Sequence, residues 1–238
     1  MRAHRVRMLL MGGQACVFYG AAEFSRDTDV AVLCKGANLA RLQAALDELE
    51  ATVIAVPPFE ADYLQRGHAV HFRCGQPEVA GMRVDVMSVM RGVAPFPELW
   101  ERRTTIQTPD AEEYDLLALP DLVQAKKTQR DKDWPMLRRL LEAHYFAQRD
   151  DPTPPQIAFW FRELRTPLLL MELARTHPTE FLHWQSQREV LAVMAAGGDE
   201  AALEAALQTE ERAERERDRA YWQPLKTELE ALRRARRA

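Results

Sequence analysis

Apolar residues come in short dense runs through the first hundred positions and at helical spacing beyond residue 120. The runs at 29–34, 52–56, 68–74 and 82–89 have the length and β-branched content of strands, and Thr104-Thr105-Ile106 reads as one more. Between the first two, 38–50 sets Leu39, Leu42, Leu46 and Leu49 along one side of an amphipathic helix. Residues 4–11 and 14–19 flank Gly12-Gly13 and predict a short strand or helix end followed by a helix. A short helix is expected around Leu99-Trp100. From Pro120 onward the pattern is helical almost throughout, with Leu137, Leu140, Leu141 and Tyr145 forming the inner face of one long helix.

These periods predict an α+β fold: a small mixed β-sheet packed by helices, followed by a C-terminal helical region. A break stands at Arg149-Asp150-Asp151-Pro152-Thr153-Pro154-Pro155, because proline removes a backbone donor and clashes with the preceding turn. It divides the chain into 1–150, comprising a core over 1–95 and a helical extension, and 151–238. In the second part Phe159-Trp160-Phe161, Leu168-Leu169-Leu170-Met171 and Phe181-Leu182-His183-Trp184 supply a helical core. From Glu210 to the end, glutamate and arginine alternate densely, the signature of a solvated helix laced by i,i+4 pairs.

With 238 residues and 47% hydrophobic content the chain can bury a full core. Its formal net charge of -4 gives no sign of the strongly basic surface that long nucleic-acid contacts require, although a local basic patch is compatible with it. Cys16, Cys34 and Cys74 are odd in number and widely spaced, which suits free thiols in a reducing cytoplasm better than a disulfide framework. The basic start, followed by an apolar stretch, resembles a signal peptide, but Gly12-Gly13-Gln14 interrupts it too early. No run approaches the roughly 18 apolar residues of a membrane span. A cytoplasmic protein without membrane contact is expected.

The candidate chemistry lies in Ser25-Arg26-Asp27-Thr28-Asp29-Val30. If the strand begins there, Asp27 and Asp29 face the same side, about 7 Å apart along the backbone. Like charges at the mouth of a buried strand raise each other's pKa, and desolvation adds to the cost. A third acid, Asp85, sits at the centre of Met82-Arg83-Val84-Asp85-Val86-Met87. Three convergent carboxylates are a donor set for Mg2+, which prefers oxygen ligands and completes its octahedron with water and phosphate. The plainer alternatives are a turn or helix cap at Asp27 and Asp29, and for Asp85 a salt bridge to Arg83 or to a neighbouring strand. Arg139 and His144 stand five apart, the spacing of small helical ribonucleases, but two residues in an arginine-rich helix are weak grounds. His68 and His71, without metal-ligand companions, read as structural or surface residues.

Gly12-Gly13, the spacer 14–26, the Asp27/Asp29 pair and the later Asp85 together resemble the nucleotidyltransferase superfamily related to DNA polymerase beta. The segment from Leu119 through Lys126 and Lys127 to Trp134 is similar to the helix that follows the core in stand-alone bacterial members of abortive-infection and toxin–antitoxin type. The resemblance implies a two-metal Mg2+ site with Asp27 and Asp29 on the ion bound to the triphosphate, and with Asp27, Asp29 and Asp85 sharing the second. Asp85 would help deprotonate the acceptor hydroxyl. It also implies ATP or another nucleoside triphosphate bound at Gly12, Gly13, Ser25 and Arg26, with Lys126 and Arg130 reaching it from one helix face. The transferred nucleoside monophosphate would go to a small molecule, an RNA or a protein. The alternative from another class is a non-catalytic nucleotide- or partner-binding module of a paired system, its partner a second protein.

Overall fold

A computed structural model describes residues 1–237 of the chain. The elements in order are β1 (Met8–Met11), α1 (Gly12–Phe18), β2 (Asp27–Val32), α2 (Gly36–Glu48), β3 (Thr52–Val53), α3 (Ala61–Arg66), β4 (Val70–Arg73) and β5 (Arg83–Met87). There follow α4 (Phe96–Glu101), β6 (Thr104–Gln107), β7 (Glu113–Leu116) and α5 (Leu119–Lys126). The helices α6 (Asp133–Gln148), α7 (Pro154–Glu163), α8 (Pro167–Thr176), α9 (Pro178–Trp184), α10 (Glu189–Ala195) and α11 (Glu200–Arg237) complete the chain. The fold is thus α+β, a seven-stranded mixed sheet with helices and then a long helical region.

The sheet runs in the order β3-β4-β5-β2-β1-β7-β6. Strands β2 and β5 pair in parallel, as do β1 and β7, and the remaining pairs are antiparallel. Alternation divides the central strands cleanly. Val30, Val70, Phe72, Val84 and Val86 are buried on one face, whereas Asp27, Asp29, His71, Arg83 and Asp85 fall at the intervening positions. Asn38, fully buried at the start of α2, fixes that helix to the neighbouring loops. Its side-chain oxygen accepts from the Arg7 N–H at 2.7 Å, and its amide donates to the carbonyls of Arg7 and Leu33.

The described residues form two compact units, one of residues 1–126 with 220–237 and the other of 127–219. Helix α11 supplies residues to both. In the first unit its end is tied down by His68, fully buried, whose Nε2 lies 2.7 Å from Glu228, and by Arg66, 2.8 Å from the same carboxylate. His68 is therefore structural, as its sequence setting suggested. The break expected at 149–155 falls inside the second unit, between α6 and α7. Its prolines end one helix and start the next: Pro154 occupies the first turn of α7, and Thr153 and Gln156 form a capping box in which Gln156 accepts from the Thr153 backbone N–H at 2.7 Å. Replacing Thr153 with alanine should lower stability by about 1 kcal/mol, measured as a shift in the urea midpoint at unchanged slope. A shift below a few tenths would mean that packing alone holds α7.

The expected inner face of α6 is in place, with Leu137, Leu140, Leu141 and Tyr145 buried in the second unit beside Trp160 and Phe161. His144, the histidine of the ribonuclease-like spacing, accepts a hydrogen bond from the Trp160 indole at 2.9 Å. Burial holds its pKa below the ordinary value, so the ring is a neutral structural acceptor. Among the described residues, no helix is long and apolar enough to cross a membrane.

Candidate active site

The strand register assembles the acids. Asp29 on β2 stands directly opposite Asp85 on β5, with Met11 on its other side, and Asp85 in turn faces His71 on β4. One step along the same face, Asp27 faces Arg83 and Arg83 faces Arg73. All three acids picked out from the sequence therefore share one sheet face, and two are cross-strand neighbours. They differ in exposure: the Asp27 side chain is 43% exposed and that of Asp85 12%.

Arg83 is the cation of this face. Its Nη2 donates to Asp85 at 2.8 and 3.1 Å, and its Nη1 lies 3.9 Å from Asp27. Its Nε is buried without a hydrogen-bond partner. Burial works against the guanidinium charge, but the carboxylates of Asp85, Asp27 and Asp29 outweigh it and hold the pKa above its usual value. His71 Nδ1 sits 2.9 Å from Asp85 Oδ1, the oxygen that Arg83 reaches at 3.1 Å. Burial alone would push the Asp85 pKa up; the hydrogen bond and charge of His71, together with Arg83, hold it below the ordinary carboxylate value. Sequence reasoning read His71 as structural or surface and missed this contact. Only the antiparallel register of β4 and β5 brings it to Asp85.

The glycine pair makes room for side chains of this chain. Gly12 has a φ of +62°, and a Cβ there would lie 1.9 Å from Asp29 Oδ2. A Cβ on Gly13 would lie 2.4 Å from Ser25 Oγ. Each glycine leaves room for one of this chain's own polar side chains, and α1, only seven residues long, begins at Gly12. Ser25 donates its hydroxyl to the Asp27 carbonyl at 2.9 Å, bracing the entrance to β2, and Arg26 is exposed nearby in sequence.

The expected shared helix face of Lys126 and Arg130 does not exist. Helix α5 ends at Lys126, and the turn at 127–132 precedes α6. Lys126 is buried in the first unit, whereas Arg130 belongs to the second and donates to Asp133 at 2.8 Å. The i,i+4 argument fails because the helical pattern does not register a short turn between two helices. Asp121, in the same lysine-rich segment, is claimed by Arg102 through two bonds of 2.7 Å.

Among the described residues no three His, Cys, Asp or Glu side chains converge as they would on a single ion. The donor set is nevertheless of the right kind: hard carboxylate oxygens on one face, Asp29 seated where only a glycine at position 12 leaves room, already balanced by a cation. Mg2+ suits these residues provided that Asp85 exchanges its bond to Arg83. The second unit has clefts of about 450 Å³ and about 250 Å³; the acids of the larger, Asp131, Glu204 and Glu211, are each paired with Arg215 or Arg138. No protein-family model and no curated protein sequence matches the chain.

Proposed function

We propose that the chain is a Mg2+-dependent nucleotidyltransferase of the polymerase-beta-like type, moving a nucleoside monophosphate from a nucleoside triphosphate to a hydroxyl acceptor. The observation that carries this reading is the carboxylate row, with Asp29, seated against Gly12, in register with Asp85 on adjacent parallel strands and Asp27 on the same face. In the transfer, the acceptor oxygen bonds to the α-phosphorus, the bond to the bridging oxygen breaks, and pyrophosphate leaves. Asp27, Asp29 and Asp85 would hold Mg2+, which when bound supplies positive charge to the attacking and leaving oxygens. Asp85 takes up the hydroxyl proton of the acceptor. Its depressed pKa makes it a weak base, and release from Arg83 would strengthen it. Arg83 and the exposed Arg26 bring cations to the triphosphate side of the row, and Ser25 keeps the β2 entrance in place. The acceptor is a small molecule, an RNA or a protein.

A second reading, a nucleotide- or partner-binding module without catalysis, is favoured by one observation: Asp85 is already saturated by Arg83 and His71. Label transfer separates the two. Each of four α-labelled nucleoside triphosphates is incubated with Mg2+, protein and cell extract, and products are divided into RNA, protein and small molecules. Wild type should label one fraction, and the double variant Asp27→Ala/Asp29→Ala none. Label in no fraction, from folded protein that binds a triphosphate, supports the binding module.

A further inference from the structure

The second unit contains a cleft of about 450 Å³, within the range of roughly 300–1,000 Å³ typical of small-molecule sites. One of its lining residues is electrostatically out of balance. Arg165 stands in the link between α7 and α8 and is only 7% exposed. Its Nε is buried without a hydrogen-bond partner. Its nearest acid, Glu210, lies 3.8 Å from Nη1, beyond hydrogen-bond reach. That carboxylate is already taken by Arg188, which donates to it at 2.8, 3.0 and 3.1 Å. Burial, and the charge of Arg188, hold the Arg165 pKa below its usual value. The other arginines of the cleft have carboxylate partners: Arg138 donates to Glu204 at 3.0 Å, and Arg215, although its Nε is likewise buried without a partner, binds Asp131 and Glu211 through its terminal nitrogens.

A buried guanidinium is ordinarily hydrogen-bonded to acceptors, since a charge removed from water without partners is unfavourable. Arg165 has in their place the face of Trp134, with its guanidinium carbon 4.7 Å from the ring centroid. The ring holds the guanidinium in place but offers it no acceptor for its N–H groups. Arg165, Arg188 and Glu210 together carry one net positive charge, and Glu163 and Glu211 act on Arg165 only from beyond ion-pair distance, so its N–H groups lack an anionic acceptor in contact.

We propose that this cleft binds a small carboxylate ligand, its anionic end on the Arg165 guanidinium. Arginine pairs with the planar carboxylate through parallel N–H···O bonds. Asp131, Glu204 and Glu211 on the same cleft disfavour a dianion such as phosphate and suit a ligand whose other end is neutral or carries donors. The assignment is independent of the transferase reading, because every residue in it belongs to the second unit.

The test uses the full chain with N-acetylglycine and benzoate as probes, and with N-acetylglycine methylamide and inorganic phosphate as controls, read by calorimetry and ligand-observed NMR. Both carboxylates should bind in the millimolar range, the neutral amide should not, and phosphate should bind more weakly than either. Arg165→Met should lower carboxylate affinity at least tenfold. Gln208→Glu, an exposed lining position that adds one negative charge, should weaken binding about threefold by repulsion without touching the core, and serves if Arg165→Met does not fold. The proposal is overturned if neither carboxylate binds at tens of millimolar, if phosphate binds more tightly than both, or if Arg165→Met and Gln208→Glu leave the affinity unchanged.

Discussion

Asp85→Asn is expected to reduce label transfer by about a thousandfold, equivalent to about 4 kcal/mol of transition-state stabilisation at 1.36 kcal/mol per tenfold. The amide keeps the shape of the side chain and one acceptor oxygen, so the strand pairing of Asp85 with Asp29 and His71 should survive. What disappears is a negative charge from the row, and with it the base for the acceptor proton. The same substitution should weaken Mn2+ or Mg2+ binding at least tenfold in calorimetry, a readout that needs no acceptor. Arg83 loses its closest anion and keeps Asp27 at 3.9 Å, so the metal-free protein should lose roughly 1–3 kcal/mol. The pH dependence supplies a further check. The Asp85 pKa is lower folded than unfolded, so its contribution is fully present above the unfolded value of 3.8 and fades as pH falls through the folded one. The wild type should therefore lose more stability on acidification below about pH 4 than Asp85→Asn does. Transfer within tenfold of wild type, or unchanged divalent binding, would remove Asp85 from the site.

The expected strand runs contain β3, β4 and β5 and overlap β2, which begins at Asp27 instead of Asp29, and the shared face of Asp27 and Asp29 was legible, because alternation of apolar and polar residues is a local property of the chain. Three kinds of feature were not legible. Strand β7 was missed: Glu113, Tyr114 and Asp115 are not apolar, and the segment is a strand because it pairs with β1 and β6. The partners of the acids were half legible. A bond from Arg83 to Asp85 could be guessed two residues away on one strand, whereas His71 reaches Asp85 only through a register that a single sequence does not encode. The downstream cations were misplaced for a third reason. Lys126 to Arg130 has helical spacing, but α5 stops at Lys126 and the residues after it form a turn in which Thr128 and Arg130 bond the Asp133 side chain. The glycine pair shows the same limit in milder form. Its spacing drew attention to this stretch, yet that its open flank is filled by Asp29 and Ser25 is visible only in three dimensions.

Gly12→Ala should accordingly act as an indirect removal of Asp29. The left-handed φ of +62° costs a residue bearing a Cβ about 1–2 kcal/mol. The new methyl would fall 1.9 Å from Asp29 Oδ2, 2.5 Å from Cγ and 2.7 Å from Cβ, so rotating the carboxylate does not relieve the overlap; the side chain or the β1–β2 pairing must move. A forced rotamer adds roughly 0.5–1.5 kcal/mol, for a total loss of about 1.5–3.5 kcal/mol. Gly13→Ala is the internal control. Gly13 is not at positive φ, and the atom in its way is the Ser25 hydroxyl, which can turn aside at the expense of its bond to the Asp27 carbonyl. That variant should lose about 1 kcal/mol and keep divalent binding near wild type. In Gly12→Ala, by contrast, Asp29 is driven from its place opposite Asp85, so divalent binding should fall at least tenfold and transfer should approach the level of Asp29→Ala. If Gly12→Ala and Gly13→Ala prove equally stable with equal divalent affinity, the glycine pair does not position Asp29. The acids would then be held by strand register alone.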